Sequence, residues 1–233
     1  MEKTKKSNNI YSSFMFVKLD PLFRRLISNE KIAAKQEFEN MAASCQEKLF
    51  FRTYMLAGLS SEADILFWRM SDVLEFLQEN CARTFSTGAG RYLLVTHSFL
   101  GMHPAPEHPA SVKKDLEFGF LPKDSFGLHK FMLIHPVIKS HVWYELSQQE
   151  RSTLLAERAS LIGRYREIRE NFFVSYGLGE QEMIVAREAR HLDELISATK
   201  ELRELRIKNY TAGDKPVFLC VGRDLREILD AIS

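Results

Sequence analysis

The strongest constraint on the fold of this chain is an internal repeat. Phe14-Met15 in the run SSFMFVKL corresponds to Phe131-Met132 in HKFMLIHP, 117 residues further along. Gly58-Leu59 corresponds in the same way to Gly177-Leu178, 119 residues further along. Each of these two glycines stands in a polar turn between two apolar runs, as a β-hairpin requires. The nearly constant offset predicts that one structural unit occurs twice.

Helix signals complete the unit. Asp20-Pro21 combines an N-cap residue with proline at the first helical position, and Ser147 with Glu150 forms a capping box. Further helices are expected after the hairpins, at about 72–83 and 190–207, and a strand closes each half. The order strand, helix, strand, strand, helix, strand is that of a ferredoxin-like unit. Two such βαββαβ repeats predict an α+β fold in which the two sheets face each other as a barrel of about eight strands.

The predicted boundaries follow from this repeat. The first half is 10–102 and the second is 128–233. The connection 103–127 is rich in proline, which suits a long link between them. Apolar residues of the predicted strands are expected in the core, namely Phe14, Phe16, Leu66, Trp68, Phe131, Leu133, Ile184 and Val217.

Composition excludes several classes of function. The formal net charge of 233 residues is only +1, so no basic field predicts nucleic-acid binding. No apolar run is long enough to predict a membrane span. Three cysteines without a CxxC pair, and histidines at irregular spacing, predict neither a disulfide framework nor a metal site. A reduced, cytoplasmic setting is expected.

One arginine breaks an apolar helical face. In the stretch LLAERASLIGRY, Leu154, Arg158, Leu161 and Tyr165 share one face at helical spacing. Arg158 either extends its charged end to solvent or lines an internal cavity, paired with a carboxylate or an anionic ligand. The carboxylates expected to pair with it are Glu188 and Glu204. The arginines that follow are expected to form a solvated stripe on the same helix, and they are Arg164, Arg166 and Arg169.

Other polar residues of the second half stand close to the predicted sheet. His135 interrupts the apolar run FMLIHPVI directly before Pro136. Lys139 and Trp143 follow on the way into the helix. Each of them has an ordinary structural role as an alternative, since such lysines often reach solvent and tryptophans often belong to the core.

Three stretches of the second half resemble the chlorite dismutase family, which includes the coproheme decarboxylases of haem synthesis. They are FMLIHPVIKSHVWYELSQQERSTLLAERASLIGRY, YGLGEQEMIVAREA and LRELRIKNYTAGDKPVFLCVG. The first half is similar to the family in the order of its elements. The resemblance implies a barrel of two ferredoxin-like repeats, haem or coproheme as cofactor, and a homo-oligomeric ring, with a pentamer favoured.

The resemblance also implies a role for particular residues, and the ligand pair of the family is altered. Family members carry a Glu-His step whose histidine binds the haem iron, and here the step reads Glu157-Arg158. An acidic residue that orients this histidine in the family corresponds to Arg206 or Ile207. A guanidinium has no lone pair for iron.

The remaining pocket positions are partly retained. The tyrosine that precedes a proline in the family matches His135, whereas Lys139 and Trp143 match retained positions. The distal arginine or glutamine of the family corresponds to Asn171, or to Arg169 in a shifted register.

Three hypotheses for function follow. In the first, the chain has lost normal haem ligation and keeps a cationic pocket for an anionic small molecule or a porphyrin, formed by His135, Lys139, Arg158 and Arg206. In the second, it is a haem- or coproheme-dependent oxidoreductase with non-standard iron ligation, and His135 is the leading substitute ligand and catalytic residue. In the third, it is a non-catalytic, oligomeric assembly protein.

Overall fold

The structure is a computed structural model that describes residues 10–46, 48–103, 126–127 and 129–233. The chain forms two compact units. One comprises the residues up to Leu100 together with Cys220–Ser233, and the other is Gly101–Leu219. The end of the chain was assigned to the second half from sequence, but it belongs to the first unit. Of the predicted connection, residues 104–125 lie outside the described residues.

The first half has the predicted element order. Its elements are β1 (Ile10–Leu19), α1 (Ser28–Gln46), β2 (Phe50–Met55), β3 (Ile65–Ser71), α2 (Leu74–Ser86) and β4 (Leu93–His103), within which the boundary between the units falls. Strand β3 pairs antiparallel with β1 and with β2, so that Phe14 and Arg52 both lie opposite Trp68. This is a βαββαβ unit.

The second half repeats this order with additions. Its elements are β5 (Phe131–Lys139), α3 (His141–Glu145), α4 (Gln148–Ile162), β6 (Ile168–Val174), β7 (Met183–Ala189), α5 (Leu192–Glu204), β8 (Thr211–Gly213), β9 (Phe218–Gly222) and α6 (Leu225–Ile232). Strand β7 pairs antiparallel with β5 and with β6. Helices α3 and α6 and strand β8 were not predicted from the sequence. The mixed α+β class and the repeated unit are confirmed, whereas closure into a barrel stays a prediction.

Equivalent hydrogen bonds define the repeat more closely than the sequence did. In the two hairpins, the amide of Leu59 donates to the carbonyl of Leu56, and the amide of Leu178 donates to the carbonyl of Ser175. The offset of 119 there is confirmed. In the first strands of the two halves, Val17 and Val137 are equivalent. The carbonyl of Val17 accepts from the amide of Asp64, directly before β3, and the carbonyl of Val137 accepts from the amide of Glu182, directly before β7. The offset is therefore 120, and the predicted match of Phe14 with Phe131 was wrong by three residues.

Capping explains where two helical segments begin. Ser147 accepts from the amide of Glu150, whose carboxylate accepts from the amide of Ser147 at 2.9 Å, so the capping box is confirmed. Asp20 caps only a 3₁₀ turn, Pro21–Arg25, by accepting from the amide of Leu22. Helix α1 begins after this turn, at Ser28.

Most of the predicted core residues are buried. Phe14, Phe16, Leu66, Trp68 and Ile184 are fully enclosed. Phe131 and Leu133 are half-buried. Val217 is 43% exposed, because β9 begins one residue later and turns Phe218 and Cys220 inward instead.

Candidate functional site

A cavity that opens to solvent lies in the second unit. One face of the sheet forms a wall of this cavity. On that face Glu170 and Leu133 lie opposite Arg187, and Phe172 lies opposite Val185. Because side chains alternate along a strand, their immediate neighbours point to the other face. Helices α4 and α5 and the segment 207–217 supply the other walls.

Charged and apolar side chains share the walls. The cationic residues are Lys139, Arg158, Arg187, Arg203 and Lys208, and the acidic ones are Asp214 and the adjacent Glu170. The apolar residues include Leu133, Val137, Leu155, Phe172, Met183, Val185, Leu202, Ile207 and Val217. Five cations against two carboxylates leave an excess of positive charge, which favours anionic ligands.

Arg158 does meet a carboxylate, but not one of the two that were predicted. Both of its terminal nitrogens donate to Glu170 on β6 in a bidentate pair, with Nη2 to Oε1 at 2.5 Å. Its guanidinium also lies 4.5 Å from the ring centre of Phe172. Glu188 points to the opposite face of the sheet, where it accepts from Asn171. Glu204 is exposed at the end of α5.

Glu170 binds a second arginine as well. Arg187 Nε donates to Glu170 Oε1 at 2.5 Å, so two guanidinium groups share one carboxylate. Burial by itself raises the pKa of Glu170, but the charges of Arg158 and Arg187 reverse this and bring the pKa to about 2. Glu170 is therefore ionised at neutral pH. The cluster of Arg158, Glu170 and Arg187 carries a net charge of +1.

His135 is held in one tautomer beside this cluster. Its Nδ1–H donates to the carbonyl of Pro136 at 3.0 Å, and its Nε2 accepts from Arg187 Nη2 at 3.3 Å. Burial and the charge of Arg187 lower the pKa of His135 to about 4. The imidazole is therefore neutral at pH 7, with the Nε2 lone pair directed at an arginine.

Lys139 and Trp143 are adjacent to each other, but only Lys139 lines the cavity. The ammonium of Lys139 lies 4.0 Å from the centre of the Trp143 ring. Trp143 packs instead in an apolar cluster with Leu154 and Ile207. Its role in cofactor binding stays a prediction.

Asn171 and Arg206 do not reach the cavity. Asn171 lies on the opposite face of the sheet with Glu188, because Glu170 and Phe172 take the inward positions of β6. Arg206 pairs with Glu157 on the exposed surface. Arg169, the alternative to Asn171 in a shifted register, lies on β6. The predicted stripe of arginines on one helix is therefore wrong, because α4 ends at Ile162.

Sequence reasoning missed several polar residues of the cavity, among them Glu170, Arg187, Lys208 and Asp214. Glu170 and Arg187 face each other across β6 and β7, and Lys208 pairs with Asp214 at 2.6 Å. The signal for the first pair was the presence of charged residues inside two adjacent apolar strands, IRENFFV and MIVAREA. Because such a residue is costly to bury alone, two of them predict a pair.

The amino-acid sequence of the chain is similar to those of known proteins. The sequence model of the family described as Chlorite dismutase matches residues 31–223. The coproheme decarboxylase of Mycolicibacterium smegmatis is 29% identical over 166 residues, which are 71% of this chain and 69% of that protein.

Solved structures agree with the fold. A variant of the chlorite dismutase from Candidatus Nitrospira defluvii superposes with a TM-score of 0.85 at 22% identity, covering 98% of this chain and 97% of that one. A haem-binding protein from Thermus thermophilus superposes with a TM-score of 0.81 at 20% identity, covering 96% of this chain and 94% of that one.

Proposed function

The chain belongs to the chlorite dismutase family, and from that premise we propose that it binds an anionic small molecule in the cavity of its second unit, without iron ligation from α4. The observation that carries the proposal is the bidentate pair of Arg158 with Glu170. It stands at the position where the family resemblance implies the iron ligand.

The residues present do not fit haem held in the usual way. A guanidinium offers no lone pair to iron, and both terminal nitrogens of Arg158 are engaged by Glu170. The pair also links α4 to β6 across one side of the cavity. Arg206, at the position of the acidic partner, lies at the surface with Glu157. The family relatives named for haem or coproheme therefore do not define the chemistry of this cavity.

Electrostatics supports an anionic ligand. The side chains of Arg158 and Arg187 are 11% and 6% exposed, so water screens their charge poorly. Glu170 compensates only one of the two charges. An anion that enters the cavity removes the remaining cost of a buried, uncompensated charge.

A second candidate function rests on His135. Its imidazole is neutral and lines the cavity, and neutral imidazole is a good ligand for iron. A haem- or coproheme-dependent oxidoreductase with His135 as the iron ligand would need Arg187 to release Nε2. The family membership and the similarity to a coproheme decarboxylase support this candidate.

Absorption spectra and thermal unfolding separate the two candidates. On titration with haem and coproheme we expect no Soret band of a nitrogen-ligated iron, and we expect acetate and benzoate at constant ionic strength to raise Tm. Arg158→Met should remove most of this anion-dependent rise, because it leaves the cluster without excess charge. Arg164→Met is the matched control, since Arg164 pairs with Glu201 at the exposed surface.

The opposite outcome is equally clear. Stoichiometric haem binding that disappears in His135→Gln and survives Arg158→Met would establish the second candidate. A Tm that no anion changes would contradict the first.

A further inference from the structure

One hydrogen-bond donor of a buried arginine in the cavity remains unused. Arg187 donates through Nε to Glu170 and through Nη2 to His135, whereas Nη1 has no hydrogen-bond partner among the described residues. Arg187 is 5% exposed and lines the cavity. Because no protein acceptor engages Nη1, it can donate to an oxygen atom of a ligand in the cavity.

A second donor on the wall is also unused. The hydroxyl of Thr199 on α5 is buried and has no hydrogen-bond partner among the described residues. A threonine in a helix usually donates to the carbonyl one turn earlier. This one does not, so its hydroxyl is left as an unsatisfied polar group in the wall.

The net charge of the ion-paired side chains in the cavity favours a ligand with a single negative charge. Arg158, Arg187 and Lys208 contribute three positive charges, and Glu170 and Asp214 contribute two negative charges. One negative charge therefore balances the interior, whereas a dianion would bring in a new uncompensated charge.

The other charged groups of the walls do not change this balance. Arg203 stands exposed on α5, where water screens it. The ammonium of Lys139 is engaged by the Trp143 ring, and its backbone amide donates to the carboxylate of Glu182. His135 is neutral, because burial and Arg187 keep its pKa low.

The remaining wall is apolar. Val137, Phe172, Met183 and Val185 pack together on the sheet and line the cavity, and Leu155, Leu202 and Ile207 line it from other elements. A small polar anion would leave this surface in contact with water, whereas a hydrocarbon chain would cover it.

Resting on the proposed anion-binding function, we propose that the ligand is an amphipathic monocarboxylate of medium chain length. Its carboxylate accepts hydrogen bonds from the Arg187 and Thr199 side chains, and its hydrocarbon chain lies along the apolar wall. The Arg158–Glu170 pair stays closed and forms part of the site.

Calorimetric titration of the full chain at pH 7.5 with butyrate, hexanoate, octanoate and octanamide tests the proposal. We expect the affinity to rise about threefold to fourfold for each added methylene, as for burial of hydrocarbon. Octanamide, which has the same shape without the charge, should bind at least tenfold more weakly than octanoate.

Variants locate the carboxylate. Arg187→Met should remove the preference for octanoate over octanamide, and Thr199→Val, which keeps the shape of the side chain, should weaken octanoate about twofold to tenfold. Arg69→Met is a matched control, because Arg69 is the equivalent buried arginine of the first unit and should not affect binding. If Arg187→Met fails to fold, Thr199→Val and octanamide still decide the question.

The possible failures are distinguishable. If butyrate and octanoate bind equally well and small anions still raise Tm, the amphipathic ligand is wrong and the proposed anion site stands. If octanamide binds as well as octanoate, the cavity is an apolar site and both proposals fail. If none of the four binds and no anion raises Tm, both fail as well.

Discussion

At Glu170, two arginines compete for one carboxylate. Arg158 takes both oxygens and Arg187 shares one of them. Removing one arginine leaves the carboxylate paired with the other, whereas removing the carboxylate leaves two like charges facing each other. The consequences for stability should therefore be unequal.

This asymmetry gives the first prediction. Glu170→Gln should lower the free energy of unfolding by about 3–5 kcal/mol, the cost of leaving buried charge uncompensated. Arg158→Met should cost less, because Arg187 keeps Glu170 paired and the methionine packs on Phe172. Urea unfolding at pH 7 measures both. Equal losses, or a larger loss for Arg158→Met, would show that Arg187 does not hold Glu170.

His135 gives a prediction for pH. Its pKa is about 4 in the folded chain, against a usual value of 6.5. Between these values the unfolded chain binds the proton and the folded chain does not, so stability falls as the pH is lowered from 6.5 to 4. At pH 4.5 the loss from this residue should be roughly 2–3 kcal/mol.

The test compares the wild type with His135→Gln in urea at pH 7 and pH 4.5. The variant should lose less stability on acidification than the wild type does. The titration of Glu170 contributes equally to both measurements, because both proteins retain this residue. Since its pKa is about 2 in the folded chain, its protonation lowers stability mainly below pH 5. Parallel losses in the two proteins would contradict the predicted titration of His135.

At the scale of elements, the two repeats treat equivalent positions differently. Arg69 on β3 is equivalent to Arg187 on β7, since Arg69 lies opposite Phe51 as Arg187 lies opposite Glu170. No carboxylate pairs with Arg69 among the described residues. It donates instead to Asn80 and Thr84 on α2.

The first unit uses aromatic packing in this region. Phe51 and Phe67 stack beside Arg69, and Phe38 of α1 packs edge-on against Phe67. In the second unit, Phe172 and the arginine pair line an open cavity. A phenyl ring in the first unit, where the second has a carboxylate, thus accompanies a filled core instead of an open cavity.

Helix α6 belongs to the filled unit and gives a third prediction. It buries Leu225, Ile228, Leu229 and Ile232. Ile228→Ala should cost about 2–5 kcal/mol, because it leaves a hole in the core of the first unit. Glu227→Ala, on the exposed face of the same helix, is the control and should be nearly neutral. Thermal unfolding of both variants measures this difference, and a neutral Ile228→Ala would show that α6 is not docked.

At the scale of the whole molecule, family membership predicts a homo-oligomer, with a pentamer favoured. Light scattering at micromolar concentration should give a mass near five times 27.0 kDa. A monomer at that concentration would remove both this prediction and the hypothesis of an assembly protein. Among the described residues, no helix has the length and apolar character needed to cross a membrane.

Local patterns in the sequence were sufficient to predict the two repeated units. Turn glycines, apolar periodicity and a capping box predicted the two βαββαβ units, since these signals act within a few residues of each other. The same periodicity identified Arg158 as a charge on an inward helical face, and the resemblance placed it at the ligand position of the family.

Only the tertiary structure decided which residues meet Arg158. Between α4 and β6, a difference of one residue in register exchanges the faces of the strand, so the sequence alone could not choose between Asn171 and its neighbours. The structure turns Glu170 inward and Asn171 outward. Pairing across β6 and β7 then brings Arg187 to the same carboxylate. A contact of this kind depends on strand register and packing over many residues, which no local pattern encodes.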